Sequence, residues 1–159
     1  MIKAKSQTKD SNPRAFEKIA AIMKKTKDAY VSVGVHEGAG SYEGGQEVLQ
    51  VALWNEFGTE TIPSRPFFRT AIDQNEGLIN QWREEMVHKM ILGEITPKKA
   101  LEAIGFRVQV LVQNQIKSNM PPPNAPSTIA HKAREGVAPV TLIETGLLLR
   151  SITFKVVGA

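Results

Sequence analysis

Only two stretches of this chain alternate apolar and polar positions clearly, as a half-buried strand does. They lie far apart: YVSVGVH at 30–36 and ITFKVV at 152–157. Between them the sequence reads as helices and loops. If the two strands pair, they form the heart of a small sheet onto which the helices must fold back. The expected class is α+β: a small, mainly antiparallel sheet packed by two long helices, with shorter helices and long loops. Four helices and two or three strands are expected.

The helices announce themselves by spacing and by their ends. Asn12 followed by Pro13 is a cap and first-turn pair, and Phe16, Ile19, Ala20 and Met23 repeat at helical spacing over 13–28. EGAGSYEGG at 37–45 is a glycine-rich loop. QEVLQVALWNEF at 46–57 is helical, and Gly58 stands where a left-handed closing residue belongs. Ser64 is placed to cap a helix with Pro66 in its first turn. Phe68, Ile72, Ile79, Trp82, Met86 and Met90 carry its period to about residue 92, where Gly93 stops it. Asp73-Gln-Asn-Glu-Gly can interrupt that helix, with Gly77 as the weak point. Thr96 and Pro97 open the last long helix, with Leu101, Ile104, Val108, Leu111, Val112 and Ile116 as its stripe to Asn119. Gly105 inside it costs about 1 kcal/mol relative to alanine, which suggests that another backbone comes close. Residues 120–139 form a long proline-rich loop with a helical turn near Ser127 to Lys132. The organisation expected is a flexible arm at 1–11 and one α+β domain at 12–159.

Composition narrows the chemistry. With 159 residues one domain buries an ordinary core. Cysteine is absent, which removes disulfides, thiol chemistry and thiolate metal sites. The net charge of +4 is mildly basic, compatible with nucleic acid without requiring it. The N-terminus lacks the apolar segment of a secretory signal, and no run approaches the ~18 apolar residues of a membrane span. His36, His88 and His131 stand in a strand end, a helix and a basic loop, none at ligand spacing. The glycine-rich loop carries two glutamates and lacks the Gly-Lys-Ser/Thr ending of a phosphate cradle. No serine has a nucleophile-elbow context. The residues therefore supply no catalytic, cofactor-binding or metal site, and an enzyme is not expected.

The informative window is LWNEFGTETIPSRPFFRTAI at 53–72. The chain has two tryptophans and six phenylalanines, and Trp54, Phe57, Phe67 and Phe68 all fall here. Aromatics at helical spacing usually staple a corner to the core. Two features resist that as a full account. Arg65 and Arg69 are one helical turn apart and repel, so Glu56 or a neighbour's carboxylate should compensate. Phe67 and Phe68 point about 100° apart, so one of them is free for a partner's pocket. The proline-rich segment adds His131, Lys132 and Arg134 against one acid, Glu135. That composition suits an arm that orders against another subunit or an acidic surface.

These segments resemble a known family. VSVGVHEG, the helix ending in WNEFGT, and IPSRPFFRTAI are similar to the bacteriophage tail-completion, or head–tail joining, proteins. PPNAPSTIAHK followed by LIETGLLLRSITFKV resembles that family's closing block. The matched segments bracket residues 31–157. The resemblance implies a structural virion protein of the neck or tail, made in the host cytoplasm. It implies a homo-oligomeric ring, sixfold by usual expectation, around the channel through which genome DNA passes. Partners would be other neck, connector and tail-tube or tail-terminator proteins, with no membrane and no cofactor. The implied subunit contacts are Trp54, Asn55, Glu56, Phe57, Gly58, Arg65, Pro66, Phe67, Phe68 and Arg69. A partner loop would use Pro121, Pro122, Pro123, Ser127, His131, Lys132 and Arg134. One departure stands out: HKAREGVAPVTLIETG puts more residues than the family pattern between Ser-Thr-Ile-Ala and the Thr-Gly turn. The alternative reading of the same basic surface is a sequence-nonspecific DNA-binding module.

Overall fold

The computed structural model describes residues 13–159, so the arm expected at 1–11 lies outside the described residues. Helix α1 spans Pro13–Lys25 and strand β1 Tyr30–Val35. Helices α2 (Val48–Phe57), α3 (Phe67–Gln74), α4 (Glu76–Leu92), α5 (Pro97–Lys117), α6 (Pro126–Arg134) and α7 (Leu147–Ser151) follow, and strand β2 (Ile152–Val157) closes the chain. The two strands pair antiparallel, Tyr30 opposite Val157 and Val35 opposite Ile152. At the β1 exit, His36 sits between two hydroxyls, Thr153 at 2.9 Å from Nδ1 and Ser32 at 3.2 Å from Nε2.

A two-stranded ribbon is marginal alone and needs a packed face. Here α5 lies along both strands, while α3 and α4 pack on α5 and α1 packs on α4. The fold is α+β, with helices packed against the sheet. Gly105 explains how α5 comes so near. A Cβ built there would stand 2.6 Å from Val31 Cγ2 and 2.7 Å from Phe154 Cδ2. The close approach is to side chains of both strands, not to another backbone.

Helix ends follow local chemistry in most places. The Thr96 hydroxyl accepts the Lys99 amide at 3.3 Å, and Pro97 fills the first turn. Gly93 ends α4 in a left-handed conformation, its amide bonded to the Lys89 and Met90 carbonyls. The long helix expected from Pro66 to 92 is broken, at Asn75. The Asn75 side-chain amide donates to the Ala71 carbonyl at 2.8 Å and competes with the helix ladder. Gly77, the expected weak point, lies inside α4.

The core collects at one end of α5. Val112 and Ile116 of α5 meet Val48 and Ala52 of α2, Phe67 and Ala71 of α3, Leu148 of α7, Ile152 of β2, and Met120. A fully buried Val, Leu, Ile, Phe or Met side chain contributes about 1.5–3 kcal/mol. This end therefore anchors the corner between α2 and α3. Among the described residues, no helix is long and apolar enough to cross a membrane.

Candidate interaction surface

The corner begins where α2 ends. Gly58 has φ 79° and ψ 171°, a positive φ but not the left-handed helical closure expected there. A Cβ at Gly58 would stand 3.0 Å from the Ser64 amide nitrogen and 3.1 Å from the Ile62 carbonyl, so the turn folds tightly back on it. The Ser64 hydroxyl donates to the Glu56 carbonyl at 2.9 Å and does not cap a helix. The Arg65 amide donates to the Asn55 carbonyl at 2.6 Å.

The cap of α3 comes instead from Glu56. Its carboxylate accepts the Phe68 amide at 2.9 Å and the Arg69 amide at 3.1 Å. These are second- and third-residue amides of α3, which have no partner within the helix. A carboxylate at that end also meets the positive end of the helix dipole. The same carboxylate lies 3.8 Å from Arg69 Nε, and the Arg69 guanidinium stacks 5.7 Å from the Phe57 ring centre. Glu56 does compensate Arg69, from within the chain.

Arg65 points elsewhere. It is 7% exposed, and its Nε and Nη2 donate to the Pro122 and Pro123 carbonyls at 2.8 and 3.0 Å. The two arginines thus part company, and their repulsion is avoided by direction. Phe67 is buried and Phe68 half-buried over Gly34, which divides the pair as their 100° separation requires.

The proline-rich segment is more structured than a loop, because Pro126–Arg134 is helix α6. Lys132 is 2% exposed. Its ammonium donates to the Val140 carbonyl at 2.7 Å and the Ile143 carbonyl at 2.5 Å. Burial pulls its pKa below the usual lysine value; Glu144 opposes that shift and Arg65 adds to it. Between the two gripped carbonyls, Leu142 adopts φ 63°, a left-handed conformation that costs a non-glycine residue about 1–2 kcal/mol. Asn119 accepts the Thr141 amide at 2.9 Å, and the Thr141 hydroxyl donates to the Met120 carbonyl at 3.0 Å. Pro121, Pro122, Pro123, Ser127, His131 and Arg134 remain exposed, with His131 Nε2 3.4 Å from Glu144.

The expected contact set therefore divides. Glu56, Arg65, Phe67 and Lys132 face inward within the chain and tie its elements together. Trp54, Asn55, Gly58, Pro66 and Phe68 are half-buried, and Phe57 and Arg69 are exposed. What sequence reasoning missed is the apolar groove that α2 and α3 leave open. It encloses about 470 Å³, and its lining includes Leu49, Leu53, Phe57, Phe68, Ile72 and Ile152. Leu53 is 48% exposed and Phe57 66%. A signal was present: α2 is apolar at Val48, Leu49, Val51, Ala52, Leu53, Trp54 and Phe57, around its whole circumference. One face of such a helix is left over when a small domain can cover only the other.

On the far side of α2, a cleft of about 580 Å³ is lined by Tyr42, Trp54, Arg65, Asn124 and Lys132 among others. Arg65 and Lys132 donate there to backbone carbonyls. Among the described residues, no three His, Cys, Asp or Glu side chains gather as a metal site would require. Compared with known protein families, curated proteins and solved structures, the chain finds no match in any of the three.

Proposed function

We propose that this chain is a structural subunit of a bacteriophage neck or tail, completing the tail and joining it to the head connector as a homo-oligomeric ring around the DNA channel. One observation carries the reading. The α2–α3 groove exposes contiguous large apolar side chains beside a rigid, internally capped corner. Exposed apolar patches of this kind mark association surfaces. The groove occupies the same sequence window that resembles the tail-completion family. A ring built from heterologous contacts needs one such surface and a different complementary one on each copy.

A DNA-binding module is the alternative, and its phosphate contacts would have to come from other cations than those tied up here. Arg65 and Lys132 are committed to internal carbonyls, and Lys89 and Arg107 share Glu85 at 2.7 and 2.9 Å. Among the described residues, these cations already have partners within the chain.

The test is particle assembly in the phage that encodes the chain. A Leu53→Asp, Phe57→Asp variant should fold, yet give heads and tails that fail to join under the electron microscope. Joined, infectious particles from that variant, or purified virions without this chain by mass spectrometry, would overturn the proposal.

A further inference from the structure

Helix α1 has an unusual surface. Ile19, Ile22 and Thr26 are half-buried, on the side where α1 meets α4. Phe16, Ala20 and Met23 form a neighbouring stripe that faces water, with Phe16 76% and Met23 66% exposed. Among the described residues, Phe16 and Met23 together leave a contiguous apolar stripe uncovered. Elsewhere on the same chain, the α2–α3 groove presents a second apolar surface, lined by Leu49, Leu53 and Phe57.

We propose that the Phe16–Met23 stripe of α1 seats in the α2–α3 groove of a second copy of this chain. The proposal rests on the ring reading and deepens it by naming the two surfaces that meet. Dimensions agree. Phe16 to Met23 spans about 10 Å of helix, and Leu49 to Phe57 about 12 Å. Ala20 lies between the two bulky side chains, where a small residue lets helices approach closely. Charge agrees as well. Along one edge of the stripe run Glu17 and then Lys24; along α3 beside the groove run Arg69, 57% exposed though 3.8 Å from Glu56, and then Asp73. Opposite signs face each other when α1 runs parallel to α3, and like signs clash when it runs antiparallel. The contact joins two different surfaces, so each copy offers one stripe and one groove. Repetition then closes a ring or extends a filament, whereas a symmetric dimer would stop at two.

The chain has no cysteine, so paired thiols report the contact directly. In the full chain, Met23→Cys together with Leu53→Cys should give, on oxidation, a ladder of dimers, trimers and higher species on a non-reducing gel. Each single variant should stay monomeric, because the position it faces in the next copy holds no thiol. Mixing the two single variants should give the mixed pair and nothing longer. Phe16→Asp should raise the concentration for half-assembly at least about tenfold, and the conservative Phe16→Leu should restore most of it. No ladder from the double variant, or a disulfide closed within one monomer, would overturn the docking. The ring reading is judged separately. Rings seen in particles whose subunits carry Phe16→Asp would leave that reading standing and remove this one.

Discussion

Arg65 and Lys132 on one side, Leu53 and Phe57 on the other, reverse the usual expectation of what lies inside. The two cations are buried at 7% and 2% exposure, while the leucine and the phenylalanine stand in water. Each cation reaches two backbone carbonyls, which meet its donors and make its burial tolerable. The apolar pair is outside because the other face of α2 already supplies Val48 and Ala52 to the core. A buried charge here is a tie, and the exposed apolar row is the surface to which the proposal assigns a partner. The same distinction separates the polar half of the α2–α3 corner, closed by Glu56, from its apolar half, which stays open.

The largest effect should come from cutting an internal tie. Lys132→Ala strands the Val140 and Ile143 carbonyls and frees the strained Leu142, and should cost about 3 kcal/mol in urea unfolding. A loss below about 1 kcal/mol would mean that Lys132 is not a structural cation. Next, Glu56→Ala removes the cap on α3 and should cost about 2 kcal/mol. Hydrogen exchange should quicken at the Phe68 and Arg69 amides first. The groove variant Leu53→Asp, Phe57→Asp should behave oppositely. It should shift stability by less than about 1 kcal/mol while abolishing assembly. A collapse in its melting temperature would place those side chains in the core of the folded unit and break the contrast.

The smallest effect is a pH slope. The folded pKa of Lys132 lies below 10.5, its value in the unfolded chain, so between the two the unfolded state binds more protons. Stability contributed by this group therefore rises with pH through that window, and its burial cost is felt in full below it. Subtracting the unfolding curve of Lys132→Met from that of the native chain should expose the slope. A difference that falls with rising pH would contradict the assignment.

Several decisions were legible in the residues alone. The two distant strands, the Thr96–Pro97 start, the Gly93 stop and the division of Phe67 from Phe68 all follow from short-range rules. Spacing, caps and the 100° turn per residue act within a few positions of the chain. The break in the long helix was legible as a region, and Asn75 replaced Gly77 because a side-chain amide can take a helix carbonyl where glycine has nothing to offer. The aromatic window was legible as a helix–turn–helix corner, without its inward and outward sides. Phe57 and Arg69 kept an exposed place, and Leu49 and Leu53 went unread because an apolar residue on a helix looks the same whichever way it faces.

What only the tertiary structure decided are the partners of Glu56, Arg65 and Lys132. Glu56 serves amides 12 and 13 residues away, and Arg65 reaches carbonyls 57 and 58 residues away. Backbone amides and carbonyls are nearly the same at every residue, so no pattern of side chains marks which of them a distant charge will meet. The side-chain order carries the helices and strands; which ordinary carbonyl waits at the end of an arginine depends on the folded path of the chain.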